Sequence, residues 1–339
     1  MSSIDITQLP ELVSARGRKF MFESYESIPA VYPLITKIVS PADAESPFYG
    51  DRGSVGQGLE RFRRTMDGQD APASTLHTAY NWQAAIHPYK RSLEISDRML
   101  EAANASAKVG SLIQKWASDF GLTAILTKEE HVADMFQQGT LTAGNSVYFN
   151  QSYTNNTDSN PTVIYDGLPW FDTAHLLGNG HIAGSTNYAN HVVSSALTET
   201  TLGTQLDLMQ ISNAVNDRGQ RIMNRMDTLL VPAGSQGRVA KKILDSEKEP
   251  GSANNAINPL QSSLSLIEWD FLDDSASASS WWLLNRAQGS GVSVYDSGAP
   301  VIRLARDERK GLTLLIAEYR FGAAVTDWRF AGAFNKAAS

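Results

Sequence analysis

The chain has 339 residues, enough for two or three domains, and its 42% hydrophobic and 19% charged content excludes wholesale disorder. A net charge of -7 speaks against a protein that grips nucleic acid over a broad face, while leaving room for a local basic patch. Cysteine is absent, which removes disulfides, thiolate metal sites and cysteine nucleophiles together. No run approaches the ~18 uninterrupted apolar residues of a spanning helix, and the first residues lack the regions of a signal peptide. No membrane association and synthesis in a cytoplasm are therefore expected.

Residues 1–45 carry Pro10, Pro29, Pro33 and Pro41 among scattered apolar positions with no long amphipathic period. They predict an arm lying on other surfaces, with a short β-branched strand at 31–39. From 46 to 69 the composition shifts to glycine and arginine: Gly50, Gly53, Gly56, Gly58 and Gly68 beside Arg52, Arg61, Arg63 and Arg64. Such a segment has little to bury and predicts an exposed loop. Residues 74–93 alternate aromatic, polar and β-branched side chains through Tyr80, Trp82 and Tyr89, as a strand does. Together the two stretches predict a long projecting hairpin in which residues 50–85 add little to the core. Excursions this long are usually functional or disordered.

Ile95, Met99, Ala102, Ser106, Val109, Ile113, Trp116 and Phe120 then form one stripe at alternating spacings of four and three. They predict a spine helix roughly 40 Å long. Gly121 is its expected stop and Gly110 a candidate close crossing. Lys128-Glu129-Glu130-His131 reads as a solvated helix start. Residues 139–192, rich in Asn, Thr, Gly and Tyr, predict turns with short strands at 147–149 and 162–165.

Thr198 is placed to cap a helix with Leu202, Leu206 and Met209 inward. Asn216-Asp217-Arg218-Gly219 is a turn, 227–232 a buried strand closed by Pro232, and 236–244 a short helix. Further strands are expected at 264–269, 281–284, 301–304 and 311–328. The adjacent Trp281 and Trp282 are expected on opposite faces of a packed sheet. The order is α+β, with no regular βαβ alternation.

The chemistry-bearing residues do not assemble into a motif. His175, His181 and His191 share one Gly/Asn-rich region with Asp172, but their spacings match no metal motif, so no metal or other cofactor is expected. Residues 178–184 are one residue too long for a dinucleotide loop and do not open a helix. Ser235 lacks the first glycine of a nucleophile elbow. No catalytic residue is assigned. Arg61, Arg63 and Arg64, with Tyr80, Trp82 and Tyr89, have the composition of subunit contacts. An extended arm and a projecting hairpin are features built for contact with other copies of the same chain.

Four segments resemble the major capsid proteins of tailed bacteriophages, with the Hong Kong 97 fold, and within them the Mu-like prophage head subunits. They are residues 89–101, the junction of loop and spine helix; residues 165–175, the Tyr165-Asp166-Gly167-Leu168-Pro169-Trp170-Phe171-Asp172-Thr173-Ala174-His175 turn; residues 227–232 with the following helix, Asn254-Asn255 and Asn258-Pro259; and Trp281-Trp282-Leu283-Leu284 with Tyr319-Arg320-Phe321-Gly322-Ala323, Trp328 and Arg329. The resemblance implies an N-terminal arm (1–45), an extended loop (46–93), a peripheral domain with the spine helix (94–194), an axial domain (195–305) and return strands (306–339). It further implies self-association into hexamers and pentamers of an icosahedral DNA-filled shell, a separate scaffolding protein, a portal, and only weak, non-specific contact with the packaged DNA. Some relatives crosslink through a loop lysine. Residues 46–89 contain no lysine, so crosslinking is not expected here. The alternatives are an encapsulin-type compartment shell, a tail or adaptor ring, and, more distantly, a hydrolase using His175 and Asp172.

Overall fold

In the computed structural model the described residues are 9–47, 50–56, 61–62, 64–70, 73, 78–105, 107–140, 164–177, 187–248, 257–272, 279–307 and 309–336. The first element is a helix, α1 (Leu9–Ser27), where the arm was expected to be irregular. Its apolar period is weak, and what holds it is tertiary: it lies along α4 (Ala107–Gln138), with Met21 fully buried at the crossing. A Cβ on Gly121 of α4 would collide with the Met21 carbonyl oxygen, so that glycine is the place where two helix backbones touch. Read from sequence as a stop, Gly121 is instead interior to a helix that runs on to Gln138.

The expected strand at 31–39 is a short helix, α2 (Tyr32–Ile35), followed by a three-residue strand, β1 (Lys37–Val39). Pro33 suits the first turn, and the Glu129 carboxylate caps that turn from α4, accepting the Val31 amide at 2.6 Å and the Tyr32 amide at 3.3 Å. Strands β2 (Gly50–Gly56) and β3 (Thr78–Ala85) pair antiparallel as the base of the predicted hairpin. Strand β4 (His87–Ser96) follows, so Ile95 belongs to a sheet and not to the helix; α3 (Asp97–Ala105) starts beyond it. Ser106, between α3 and α4, lies outside the described residues. So does the expected strand at 147–149, and of 162–165 only Ile164 and Tyr165 are described, in a turn.

The second half of the chain follows the sequence reading more closely. After β5 (His191–Val192), Thr198 caps α5 (Glu199–Asp207) through a reciprocal box with Thr201. β6 (Thr228–Pro232) is buried throughout, and α6 (Ser235–Asp245), β7 (Ser265–Trp269) and β8 (Trp281–Leu284) follow. β9 (Val292–Asp296), β10 (Val301–Asp307), β11 (Leu312–Val325) and β12 (Ala331–Phe334) complete the chain.

Two five-stranded sheets organise these elements. In the first, β11 pairs along one edge with β4, and along the other with β10 and then β9, to which β1 adds in parallel. The second has the order β5-β12-β8-β6-β7. Trp281 and Trp282 do face opposite ways: Trp282 enters the core shared with α4 and the first sheet, Trp281 the smaller core under α5 and α6.

The run Lys128 to His131 is a buried part of α4 and not a solvated helix start. Lys128 Nζ donates to Asp296 Oδ1 at 2.6 Å, the Gly298 carbonyl at 2.7 Å and the Tyr25 hydroxyl at 2.9 Å. The Tyr32 hydroxyl donates to the other Asp296 oxygen at 2.6 Å. Burial pulls the Lys128 ammonium down and the adjacent Asp296 opposes that pull. Burial, with the Asp296 charge, pushes the Tyr25 hydroxyl up to about 12. Glu129 is pushed up by burial against the two amides it accepts, and His131 is pushed down to about 3 by burial, with His87 adding to it. One charged cluster thus ties the arm to the spine helix and to β9.

Candidate functional site

The residues singled out for subunit contact divide into a base and an outer segment. At the base, the Trp82 ring lies across Gly53 of the paired strand, where any Cβ would collide with it. The Tyr80 hydroxyl donates to the Leu176 carbonyl at 3.3 Å, and its ring tilts against Tyr165 with centroids 5.3 Å apart. Tyr89 stacks on Tyr319 at 5.2 Å, and its hydroxyl lies 3.3 Å from His131 Nδ1. All three are half-buried, and Ala84 is fully buried in the main core. Residues 80–85 therefore do contribute to the core, against the sequence expectation for 50–85. The hairpin alternates faces, and its Tyr80 meets the turn at 164–171 through Tyr165, which sequence left unconnected to it.

Asp51 steadies the other strand, accepting the Tyr295 hydroxyl at 2.5 Å and the Glu45 amide at 3.1 Å. Burial and then the hydrogen bond to Asp51 raise that tyrosine above its ordinary value. In the outer segment Arg61 and Arg64 are exposed, and Phe62 and Met66 stand in solvent at 107% and 78% relative exposure. Arg63 lies outside the described residues. Arg61 Nη2 donates to the Arg221 carbonyl at 2.8 Å, a link no sequence signal could have shown.

His175 is fully buried and pairs with Asp166, not Asp172: Nδ1 lies 2.5 Å from Asp166 Oδ2, and Nε2 lies 3.2 Å from both the Trp170 carbonyl and Asn190 Oδ1. Its ring stacks on Trp328 at 4.4 Å. The Asp172 carboxylate instead accepts the Ala174 amide. Asn190 ties this turn to the C-terminal region by donating to the carbonyls of Trp170, Trp328 and Ala331. Nearby Arg329 is buried between Asp217 at 2.6 Å and Asp327 at 3.1 Å. The histidine turn is a packing joint, with His175 fully buried in it. His191 reaches the Lys336 carbonyl at 2.9 Å, and His181 lies outside the described residues. Among the described residues no three His, Asp or Glu side chains gather to hold a metal ion, and no helix is long and apolar enough to cross a membrane.

The fold is similar to that of solved phage capsids. The capsid of cyanophage P-SCSP1u superposes with a TM-score of 0.51 at 14% identity, over 92% of this chain and 89% of that one. Mycobacterium phage Patience gives 0.52 at 10% identity, over 97% and 88%. No curated protein matches the chain. The family model for phage capsid protein matches residues 82–332, from Trp82 at the hairpin base to the strand that closes the second sheet. With most of its length inside that match and its elements in the Hong Kong 97-like order, this chain belongs to the phage capsid protein family and is a subunit of the virion shell.

Proposed function

We propose that the chain is the major head subunit, associating into hexamers and pentamers that close an icosahedral shell around double-stranded DNA. The observation that carries this reading is the hairpin. Among the described residues its two strands form a two-stranded sheet apart from the two larger ones, and its outer segment holds Phe62 and Met66 in water, a placement that makes sense once other copies cover them. In this reading Arg61, Arg63 and Arg64 lie at the contact itself, while Tyr80, Trp82 and Tyr89 set the angle at which the hairpin leaves the subunit.

The protein acts by assembly and has no turnover of its own; the burial of His175 supports this. Assembly takes place in the cytoplasm of a bacterial host, with a separate scaffolding protein and a portal. Contact with the packaged DNA is weak and non-specific, in keeping with the charge of -7. The Mu-like grouping rests on the four sequence segments, and so do the divisions 1–45, 46–93, 94–194, 195–305 and 306–339. The two sheets draw strands from several of those divisions: β9 and β10 join β11 in the first, and β12 joins β8 in the second.

Electron microscopy of the purified chain, alone and co-produced with its neighbouring head proteins, tests the reading. Closed isometric shells are expected. Closed rings would transfer the chain to a tail or adaptor role, and shells filled with a protein cargo in place of DNA would make it a compartment protein.

A further inference from the structure

The outer hairpin touches the body of its own subunit at a seat that holds its shape without it. Residues 214–222 fold into a small prong. Val215 and Arg221 bridge antiparallel, and the Ile222 amide donates to the Ala214 carbonyl at 2.8 Å. The Asn216 side chain accepts the Arg218 and Gln220 amides at 3.0 and 2.9 Å. The root of the prong is pinned inside the protein. Asp217 accepts Arg329 at 2.6 Å with both side chains buried, and Asn224, just past the prong, donates to the Arg329 carbonyl at 2.7 Å. The hairpin that meets it is joined less firmly. β2 and β3 shift register between Val55 and Gly56, and beyond that shift Arg61 Nη2 reaches the Arg221 carbonyl at 2.8 Å. Phe62 and Met223, close by these two residues in the chain, both stay in water, at 107% and 95% exposure. A contact that brings two large apolar side chains to one neighbourhood and covers neither is incomplete.

We propose that the prong and the residues after it, 214–225, seat the outer hairpin of a second copy, and that the contact within one chain is its unassembled form. On assembly the hairpin moves from its own prong to a neighbour's, where Phe62 and Met223 cover each other. The inference rests on the shell reading above and names the surfaces that meet. The occupant is the segment already seen on this seat. Within one chain the hairpin base fixes the approach, because Trp82 lies across Gly53 and the Tyr80 hydroxyl is tied to the Leu176 carbonyl. A neighbour's hairpin comes to the prong free of that constraint. Exchanging one hairpin for an identical one replaces the Arg61 hydrogen bond like for like, so the apolar burial is a net gain, and methionine adapts to the facing ring. Because hairpin and prong are different surfaces, the contact is head-to-tail and runs on from copy to copy around a ring.

The chain has no cysteine, so introduced thiols report cleanly, and cysteine keeps apolar character at the contact. Two single variants, Phe62→Cys and Met223→Cys, one of them tagged, are mixed before assembly and treated with a flexible bis-maleimide. No chain then holds both thiols, so a link between the two variants reports only the contact between copies. Such heterodimers are expected in mixed shells, in excess of homodimers, and not in the unassembled mixture at the same protein concentration. The double variant should show links within one chain before assembly and a ladder extending past the dimer afterwards. Independently, Met223→Glu should lower shell yield roughly tenfold or more by placing a carboxylate in the contact, and should leave the melting temperature of the unassembled subunit unchanged. Should the cysteine variants fail to assemble, Met223→Glu still decides. Mixed shells without heterodimers, double-variant shells with links only within one chain, or Met223→Glu shells at wild-type yield would overturn the exchange while leaving the shell reading intact. Wild-type protein that never forms shells would overturn both.

Discussion

Replacing Lys128 by methionine should release the N-terminal arm. The substitution keeps the length of the side chain and removes an ammonium whose three donors are all used, by Asp296, Gly298 and Tyr25. Asp296 would then remain a buried carboxylate with only the Tyr32 hydroxyl and the Gly298 amide as donors. Removing one partner of a buried pair costs about 3–5 kcal/mol, a large share of the ~5–15 kcal/mol that holds a domain together. Asp296→Asn added to Lys128→Met keeps an oxygen for the Gly298 amide and abolishes the uncompensated charge. The double variant should recover about half of the loss. Urea denaturation of the unassembled subunit, followed by tryptophan fluorescence, reads the change, since Trp170, Trp269, Trp281, Trp282 and Trp328 are fully buried. Tyr25 and Tyr32 belong to the arm, so proteolysis should reach α1 before the core opens. A loss below about 1 kcal/mol, or no recovery on adding Asp296→Asn, would refute the reasoning.

Three other expectations are open to direct measurement. His131 is held at about 3, below its ordinary 6.5, so its contribution is complete above 6.5 and is lost as the pH falls toward 3. Wild type should lose up to about 1.4 kcal/mol per pH unit in that window relative to His131→Gln, and parallel stability profiles for the two would contradict it. Gly121→Val should push α1 away from α4 at a cost of about 1–3 kcal/mol and raise cleavage within α1; an unchanged proteolysis pattern would show that the helices do not touch there. Deleting residues 57–77 should leave a folded subunit that builds no shell. Deleting 50–85 should destabilise it as well, because Ala84, Tyr80 and Trp82 go with it; equal denaturation midpoints for the two deletions would put the hairpin base outside the core.

Where local pattern and tertiary environment agree, the sequence reading holds. The cap at Thr198, the all-apolar strand ending at Pro232 and the paired tryptophans each satisfy a rule set by nearest neighbours. The failures share one cause, a partner far away in the chain. α1 has little apolar period of its own and depends on Gly121, about a hundred residues on. Lys128, Glu129 and His131 look like a solvated run until Tyr25, Val31 and Asp296 are brought to them. Ile95 continues a helical spacing but is claimed by Thr313 in the first sheet. β9 and β12, which adjoin Gly291 and Asn335, went unread as strands. The arginine cluster at 61–64 stands out in composition, whereas the Arg221 carbonyl that Arg61 reaches does not.

The position of β11 sets an order of events during synthesis. It is the middle strand of the first sheet, yet its partner β4 leaves the ribosome 216 residues earlier, counting from Ser96 to Leu312. At ~5–20 residues per second β4 waits roughly 10–40 s with its hydrogen-bonding edge open. β12 completes the second sheet later still, between β5 and β8. Neither sheet can close on a partly made chain, so the strand edges of the newborn subunit stay open until the last strands emerge. Ribosome-arrested chains ending before Leu312 should accordingly be cut by protease throughout residues 87–305, and protection should appear only once residues up to Phe334 have emerged.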